Sequence, residues 1–210
     1  VLLSNVATAV ALRSTAAGEP GPSIYLWGET GSGRTHLLRA LAAEASARGL
    51  YLDADQVNNT AADTLIAALQ ATRAGVWLFD DIRLLEPLAQ GALFRAINLA
   101  AARGITVVAA ADDAPRDLPL REDLRTRIGQ MLAFRIQPLQ DEERLELLQA
   151  HAAARGMKVD VDVFDYLMRH GRRDIRSLLG ILDLLDEHSL TRQRPVTLPL
   201  LREIMQTRLL

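Results

Sequence analysis

The sequence predicts an α/β fold in which helices cover both faces of a parallel sheet, followed by a small all-helical domain. Two observations support this prediction. Short apolar runs of strand length alternate with helical patterns up to Pro138, and only helical patterns follow. The apolar runs carry hydrophobic side chains on both faces, which is typical of strands in a buried parallel sheet. We therefore expect an α/β domain over residues 1–138 and a helical domain over residues 139–210.

Apolar, β-branched and aromatic residues mark five strands in the first domain. These strands are expected at 23–27, 50–53, 75–80, 105–111 and 132–136. Helical spacing of apolar residues, with glycine or proline at several ends, marks the helices between them. The expected helices of the first domain span 5–16, 35–48, 61–70 and 87–103, with a further short helix within 118–129. Those of the second domain span 141–155, 161–170, 174–189 and 198–207.

Composition excludes several classes of protein. With 49% hydrophobic and 24% charged residues the chain can build a core, and without cysteine it has no disulfide framework, thiolate metal site or cysteine nucleophile. A net charge of −2 argues against non-specific coating of DNA. The longest uncharged stretch, residues 1–12, is shorter than the roughly 20 residues that span a bilayer and does not resemble a signal peptide. We expect a cytoplasmic protein without a membrane anchor, and a short missing N-terminal segment because the first residue is not methionine.

A glycine-rich segment, Gly28-Glu-Thr-Gly-Ser-Gly-Arg-Thr35, separates the first strand from the next helix. It fits the phosphate-loop pattern G-x-x-x-x-G-K-[ST] except that arginine replaces lysine. Glycines let backbone N–H groups turn toward phosphate oxygens, the helix N-terminus attracts the anion, and a hydroxyl at the last position can bind Mg²⁺. The alternative is a tight turn with incidental glycines. The strand–loop–helix context favours a nucleotide site built from Gly28, Thr30, Gly31, Ser32, Gly33, Arg34 and Thr35, with Thr35 toward Mg²⁺.

Arg34 stands where lysine is usual, in a chain whose only lysine is Lys158. Arginine keeps the positive charge but spreads it over a planar fork. Binding of ADP or ATP should therefore survive. Efficient self-hydrolysis is not expected, because the charge of the transition state is stabilised by accurately placed cations.

Carboxylates follow two of the buried strands. Asp80 and Asp81 end the third strand, where the first would hold Mg²⁺ and the second could orient an attacking water. Asp112 ends the fourth strand and would face the γ-phosphate region. The alternative is that Asp112 is simply a polar residue where the chain leaves the strand. One strand and one helix are expected between the phosphate loop and the strand that ends at Asp80. This arrangement is common in P-loop ATPases.

The combination of motifs resembles the DnaA family of AAA+ ATPases over nearly the whole chain, and within it the Hda branch of regulators. Ser4-Asn5 resembles the N-terminal nucleotide box of that family. The segments 26–38, 79–82, 112–115, 124–128 and 174–176 resemble its Walker A, Walker B, sensor 1, box VII and sensor 2 motifs. The His-Leu-Leu that begins at His36, the paired aspartates and the last two motifs make this resemblance more specific than Walker motifs alone.

The resemblance implies roles for residues that the loop alone does not identify. Asn5, His36 and Arg176 would contact the nucleotide. Arg127, expected after a short helix, would be an arginine finger that acts in trans on a neighbouring subunit, with Asp81 and Asp112 completing the catalytic set. One departure is Asp123, which stands where the initiator carries arginine and weakens the expectation of initiator-like self-assembly.

For function, the resemblance implies a regulator that stimulates hydrolysis of DnaA-bound ATP together with the DNA-loaded sliding clamp and so prevents re-initiation. The implied partners are DnaA and the clamp, the latter through an N-terminal segment not present here. DNA contact would be indirect, and a homodimer is compatible with this view. The chain ends after the last helix without a helix-turn-helix domain, which favours this regulator over a fragment of the initiator DnaA itself. A small-molecule P-loop kinase is a third alternative, disfavoured by the C-terminal helical lid.

Overall fold

The computed structural model describes residues 5–171, 174–192 and 195–208, without the side chains of Arg176, Arg192, Thr207 and Arg208. The chain divides into two compact units between Pro138 and Leu139. Strands and helices alternate in the first unit, and four helices form the second. The predicted α/β fold class with a C-terminal helical region is confirmed.

All five predicted strands are present in the first unit. They are β1 (Ile24–Trp27), β2 (Gly49–Asp53), β3 (Val76–Asp80), β4 (Thr106–Ala111) and β5 (Leu132–Arg135). The helices of this unit are α1 (Val6–Ala17), α2 (Arg34–Ala45), α3 (Ala54–Asn58), α4 (Ala62–Ala71), α5 (Pro87–Arg103) and α6 (Glu122–Gly129).

The strands form one parallel sheet in the order β2-β3-β4-β1-β5. Every residue of β3 is buried, and so is β4 after its first residue, whereas β5 lies at an edge with mostly exposed side chains. Register aligns Trp27 with Ala111, and Asp53 with Asp80. The carboxyl ends of the three central strands therefore meet at one edge of the sheet, where the phosphate loop begins.

Alternation along the strands separates two apolar layers, because successive side chains point to opposite faces. Trp77 and Phe79 pack in a cluster that includes residues of α4 and α5. Leu78 packs on the other face with Leu26 and Leu38, in a cluster that includes residues of α1 and α2. The helix that follows the phosphate loop is thus fixed by burial against the sheet.

Three local features differ from the expectation. The short helix α3 was not predicted; Asp53 caps it, accepting from the N–H of Gln56 while the Gln56 side chain accepts from the N–H of Asp53. The short helix expected within 118–129 occupies only Glu122–Gly129 (α6) and so includes Arg127; Pro119 disfavours helix at the residue before it. Helix α2 ends at Ala45, three residues before its expected end, and a 3₁₀ turn begins at Ser46, whose φ is +51°.

The second unit contains α7 (Asp141–Ala154), α8 (Val161–His170), α9 (Ile175–Arg192) and α10 (Leu198–Arg208). A capping box of Gln140 and Glu143 begins α7. The unit has an apolar core of its own, centred on Leu148, Leu167, Leu182, Leu185 and Leu201. No helix in the described part of the chain is long and apolar enough to cross a membrane.

Candidate functional site

The phosphate loop connects β1 to α2 and has the backbone that its glycines predict. Gly31 and Gly33 have φ values of +86° and +103°, a region that side chains rarely adopt. Gly33 caps α2, so the helix begins at Arg34 with its first N–H groups unpaired within the helix. This is the backbone arrangement that binds anions at a helix N-terminus.

Gly28 is required by a close approach at the base of the loop. A Cβ atom there would lie 2.5 Å from the carbonyl oxygen of Ile136. The next residue, Gln137, exchanges two hydrogen bonds of 3.0 Å with the side-chain amide of Asn5. Asn5, predicted to contact nucleotide, thus ties the start of α1 to the segment that touches the loop.

Arg34 and Asp112 form an ion pair at the centre of the site. The Nη2 of Arg34 donates to Oδ1 of Asp112, and the hydroxyl of Thr30 donates to Oδ2 over 3.2 Å. Arg34 is only 7% exposed, whereas about a third of the Asp112 side chain faces solvent. Three of the predicted site residues, from the loop and from the end of β4, are therefore in direct contact.

Two polar atoms of the loop are buried without a partner among the described residues. They are Nη1 of Arg34 and Oγ of Ser32, and Ser32 is only 4% exposed. Burying a hydrogen-bond donor without a partner costs roughly 1–3 kcal/mol of stability, so native proteins seldom leave such a donor unpaired. A guanidinium N–H and a hydroxyl beside free helix N–H groups are donors that suit phosphate oxygens. The residues present therefore fit a nucleotide phosphate.

The carboxylates after β3 differ in their environments. Asp80 is 2% exposed; its Oδ1 accepts from the N–H of Asp81 (3.0 Å) and its Oδ2 from the hydroxyl of Tyr51 (2.8 Å). Asp81 lies in a left-handed conformation with φ +50°. Burial raises the pKa of Asp81, and the negative charges of Asp80, Asp112 and Asp53 raise it further against the opposing effect of Arg34. The acidic end of β3 thus shares one electrostatic environment with the loop.

The Mg²⁺ prediction involves Thr35 and Asp80. Thr35 lies in the first turn of α2 and Asp80 at the end of β3. Within the described residues no group of three His, Asp or Glu could hold a metal ion by itself. Protein sites usually bind Mg²⁺ through one or two side chains together with phosphate oxygens and water, and the roles of Thr35 and Asp80 stay a prediction.

His36 and Arg127 lie outside this cluster. His36 is exposed in the first turn of α2. Arg127, expected after a short helix, lies inside α6 near its C-terminal end, because that helix continues to Gly129. Its side chain is exposed and forms no hydrogen bond or ion pair with a described residue. Asp123 forms an ion pair with Arg121, whose Nε and Nη2 lie 2.7 and 2.9 Å from the two carboxylate oxygens. The side chain of Arg176 lies outside the described residues.

Sequence reasoning missed Tyr51, the residue that contacts Asp80. The contact depends on the sheet register, in which Tyr51 pairs with Leu78, and spacing along the chain does not reveal that register. Asp80 is two residues further along β3 and therefore on the same face, at the diagonal distance that an aromatic side chain can span.

Comparisons with known proteins agree with the fold and identify the family. A family model of the bacterial DnaA ATPase domain matches residues 3–135, and a model of the Hda lid domain matches residues 141–205. Domain III of the replication initiation protein DnaA from Thermotoga maritima has a TM-score of 0.83 and 19% identity, over 99% of this chain and 93% of that one.

Two longer proteins share the fold. AMPPCP-bound DnaA from Aquifex aeolicus has a TM-score of 0.72 and 21% identity, over 90% of this chain. The Thermotoga maritima RuvB Holliday junction branch migration motor has a TM-score of 0.72 and 17% identity, over 98% of this chain. This chain spans 63% and 69% of their respective lengths. Because the DnaA ATPase model covers more than half of the chain and the Hda lid model most of the remainder, the chain belongs to the Hda/DnaA family of AAA+ proteins.

Proposed function

We propose that this protein is a nucleotide-binding AAA+ regulator of replication initiation that stimulates hydrolysis of DnaA-bound ATP. One observation supports the ligand most directly. The loop buries an arginine nitrogen and a serine hydroxyl that have no partner among the described residues, beside the free N-terminus of α2. ADP or ATP would supply the phosphate oxygens that these donors lack.

The proposal assigns chemical tasks to the phosphate loop and to residues outside it. Backbone N–H groups between Gly28 and Gly33 surround the phosphates, and Arg34 adds a fixed positive charge. Thr35 and Asp80 would hold Mg²⁺, which neutralises phosphate charge when bound. Asp81 orients water, while Asn5, His36 and Arg176 contact the nucleotide. Because Arg34 is already paired with Asp112, its charge is shared, and intrinsic ATP hydrolysis should be slow.

Titration calorimetry with ADP tests the ligand. Binding to the protein should be measurable and should be weakened at least about tenfold by Arg34→Ala, because a charge-assisted hydrogen bond to phosphate is lost. Arg13→Ala on α1, a loss of positive charge outside the loop, is the matched control. Absence of ADP binding to the parent protein would overturn the proposed site.

The regulatory part of the proposal concerns Arg127. Its exposure on α6, without a described partner, is what a residue acting on a second protein needs. An arginine supplied in trans to a γ-phosphate raises the rate of hydrolysis by about 10³–10⁵ in other phosphoryl-transfer systems. The match to the Hda lid domain supports DnaA as that second protein. The DNA-loaded sliding clamp is the other proposed partner, and DNA would be contacted only through the clamp.

Arg127→Ala should abolish stimulation of DnaA-bound ATP hydrolysis on clamp-loaded DNA and leave ADP affinity within about twofold of the parent. Arg125→Ala, two residues away on the same helix, is the control and should retain stimulation. Arg127→Lys should rescue little, because lysine lacks the planar fork. Equal stimulation by parent and Arg127→Ala proteins would remove the trans-finger role.

A second candidate, the ATPase part of the initiator DnaA itself, is favoured by the match of the DnaA ATPase model to residues 3–135. The two candidates differ in how much of the protein is needed to affect DnaA. A regulator accelerates loss of ATP from added DnaA when present in small amounts, whereas an initiator fragment binds ATP for itself and assembles on DNA.

A further inference from the structure

Tyr51 connects three parts of the site without belonging to any of its motifs. Its hydroxyl donates a 2.8 Å hydrogen bond to Oδ2 of Asp80. Its ring lies beneath the guanidinium of Arg39, whose Cζ is 5.5 Å from the ring centre. Arg39 is on α2, the helix whose N-terminus forms the phosphate loop. The tyrosine therefore bridges that helix and the acidic end of β3.

The bond to Asp80 is one of two that hold this carboxylate. Oδ1 accepts from the N–H of Asp81 at 3.0 Å, so each carboxylate oxygen has one fixed donor. A carboxylate as deeply buried as Asp80 is unfavourable unless hydrogen bonds replace its hydration. Two donors on different oxygens also fix the rotation of the carboxylate plane, because turning about the Cβ–Cγ bond would break at least one of them.

We propose that Tyr51 is the positioning residue for Mg²⁺–nucleotide binding, acting by holding the Asp80 carboxylate in place. This inference rests on the proposed nucleotide site and adds to it a residue from strand β2. The second lone pair of each Asp80 oxygen stays available to the ion or to its water shell. Pre-orientation matters because Mg²⁺ demands nearly ideal octahedral geometry.

Tyr51 remains a donor under ordinary conditions. Burial, followed by its bond to Asp80, raises the pKa of Tyr51 to about 12, so the hydroxyl keeps its proton at neutral pH.

The test compares ADP affinity in Mg²⁺ and in EDTA for the parent protein and for Tyr51→Phe. Phenylalanine keeps the ring under Arg39 and removes the hydroxyl, which interacts with Arg39 as well as with Asp80. We expect the gain in affinity that Mg²⁺ provides to fall about tenfold, which corresponds to the free energy of a hydrogen bond to a charged group. Affinity for ADP in EDTA should stay within about twofold of the parent. Tyr25→Phe is the control, because it removes a buried hydroxyl that donates to the carbonyl oxygen of Asp113 instead. It should keep the full Mg²⁺ gain.

A double-mutant cycle separates positioning from general destabilisation. Asp80→Asn should remove the Mg²⁺ gain, and adding Tyr51→Phe to it should have no further effect, because the two residues act through one bond. Additive losses, an unchanged Mg²⁺ gain in Tyr51→Phe, or a parent whose affinity for ADP is the same with and without Mg²⁺ would each overturn the inference. A parent that binds no ADP under either condition overturns the proposed nucleotide site as well, so the two failures are distinguishable.

Discussion

Asp81 combines a left-handed backbone with a carboxylate placed among other acids. A non-glycine residue at φ +50° is uncommon, although aspartate and asparagine tolerate this region better than most. The folded protein raises the pKa of Asp81 above its ordinary value of 3.8, chiefly through burial and then through Asp80. Ionised Asp81 therefore lowers stability at neutral pH, and the loss disappears as the pH falls below 3.8.

We accordingly expect Asp81→Asn to stabilise the nucleotide-free protein at pH 7. Asparagine keeps the left-handed conformation and removes the charge. The gain should be on the order of 0.5 kcal/mol, the size of a partly solvated charge interaction, and should vanish below pH 3.8. Urea denaturation at the two pH values measures it, with Asp165→Asn on the exposed face of α8 as control. A less stable Asp81→Asn protein at pH 7 would contradict the electrostatic argument.

Arg34 shows why restoring the usual lysine need not improve the site. Its guanidinium pairs with Asp112 through Nη2 and leaves Nη1 for a phosphate. A lysine ammonium is a single compact charge, so pairing with Asp112 would leave less of it for the nucleotide. Arg34→Lys should therefore weaken ADP binding by about five- to tenfold in titration calorimetry. Tighter binding by the lysine variant would show that Asp112 does not compete for this charge.

At the scale of elements, the junction between the loop and α2 depends on Gly33. An added Cβ would meet nothing within 4 Å, so the constraint at Gly33 is its φ of +103° and not space. Gly33→Ala should lower the free energy of unfolding by about 1–2 kcal/mol and impair ADP binding, because the helix start is displaced. Gly75→Ala also has open space but no positive φ, and should change neither quantity appreciably. Chemical denaturation measures the free energy of unfolding of both variants. Similar losses in the two would exclude backbone strain as the cause.

Elements with strong periodicity were predictable, and those with local or tertiary causes were not. Helices α5 and α8 have the predicted ends because Pro87 begins one and both carry glycine just after the last turn. Helix α3 depends on a side-chain capping box too short to leave a periodic pattern. The loop and the acids after β3 and β4 followed from motif and strand order. Tyr51 required the register of β2 against β3, which no spacing along the chain reveals.

The whole molecule consists of two units with separate apolar cores. Leu182 and its neighbours form the core of the second unit from helices α7–α10 alone. Residues 139–210 should therefore fold as an isolated helical fragment, with modest stability because small domains bury a smaller share of their surface. Circular dichroism should show a cooperative thermal transition. Leu182→Ala, which removes a fully buried side chain at a cost of about 2–5 kcal/mol, should eliminate that transition. A gradual melt of the unmodified fragment would contradict independent folding.

The strand order also determines when the site can form as the chain is made. Strand β1 leads directly into the phosphate loop, but Ile24 pairs with Val108 on one side and Leu132 on the other, both far downstream. Such non-local pairing carries the entropy of closing long loops and slows folding. A nascent chain that has not yet emerged beyond β5 has the loop sequence without the sheet that shapes it. The phosphate loop is thus encoded early in the α/β unit but takes its shape only after most of that unit has left the ribosome.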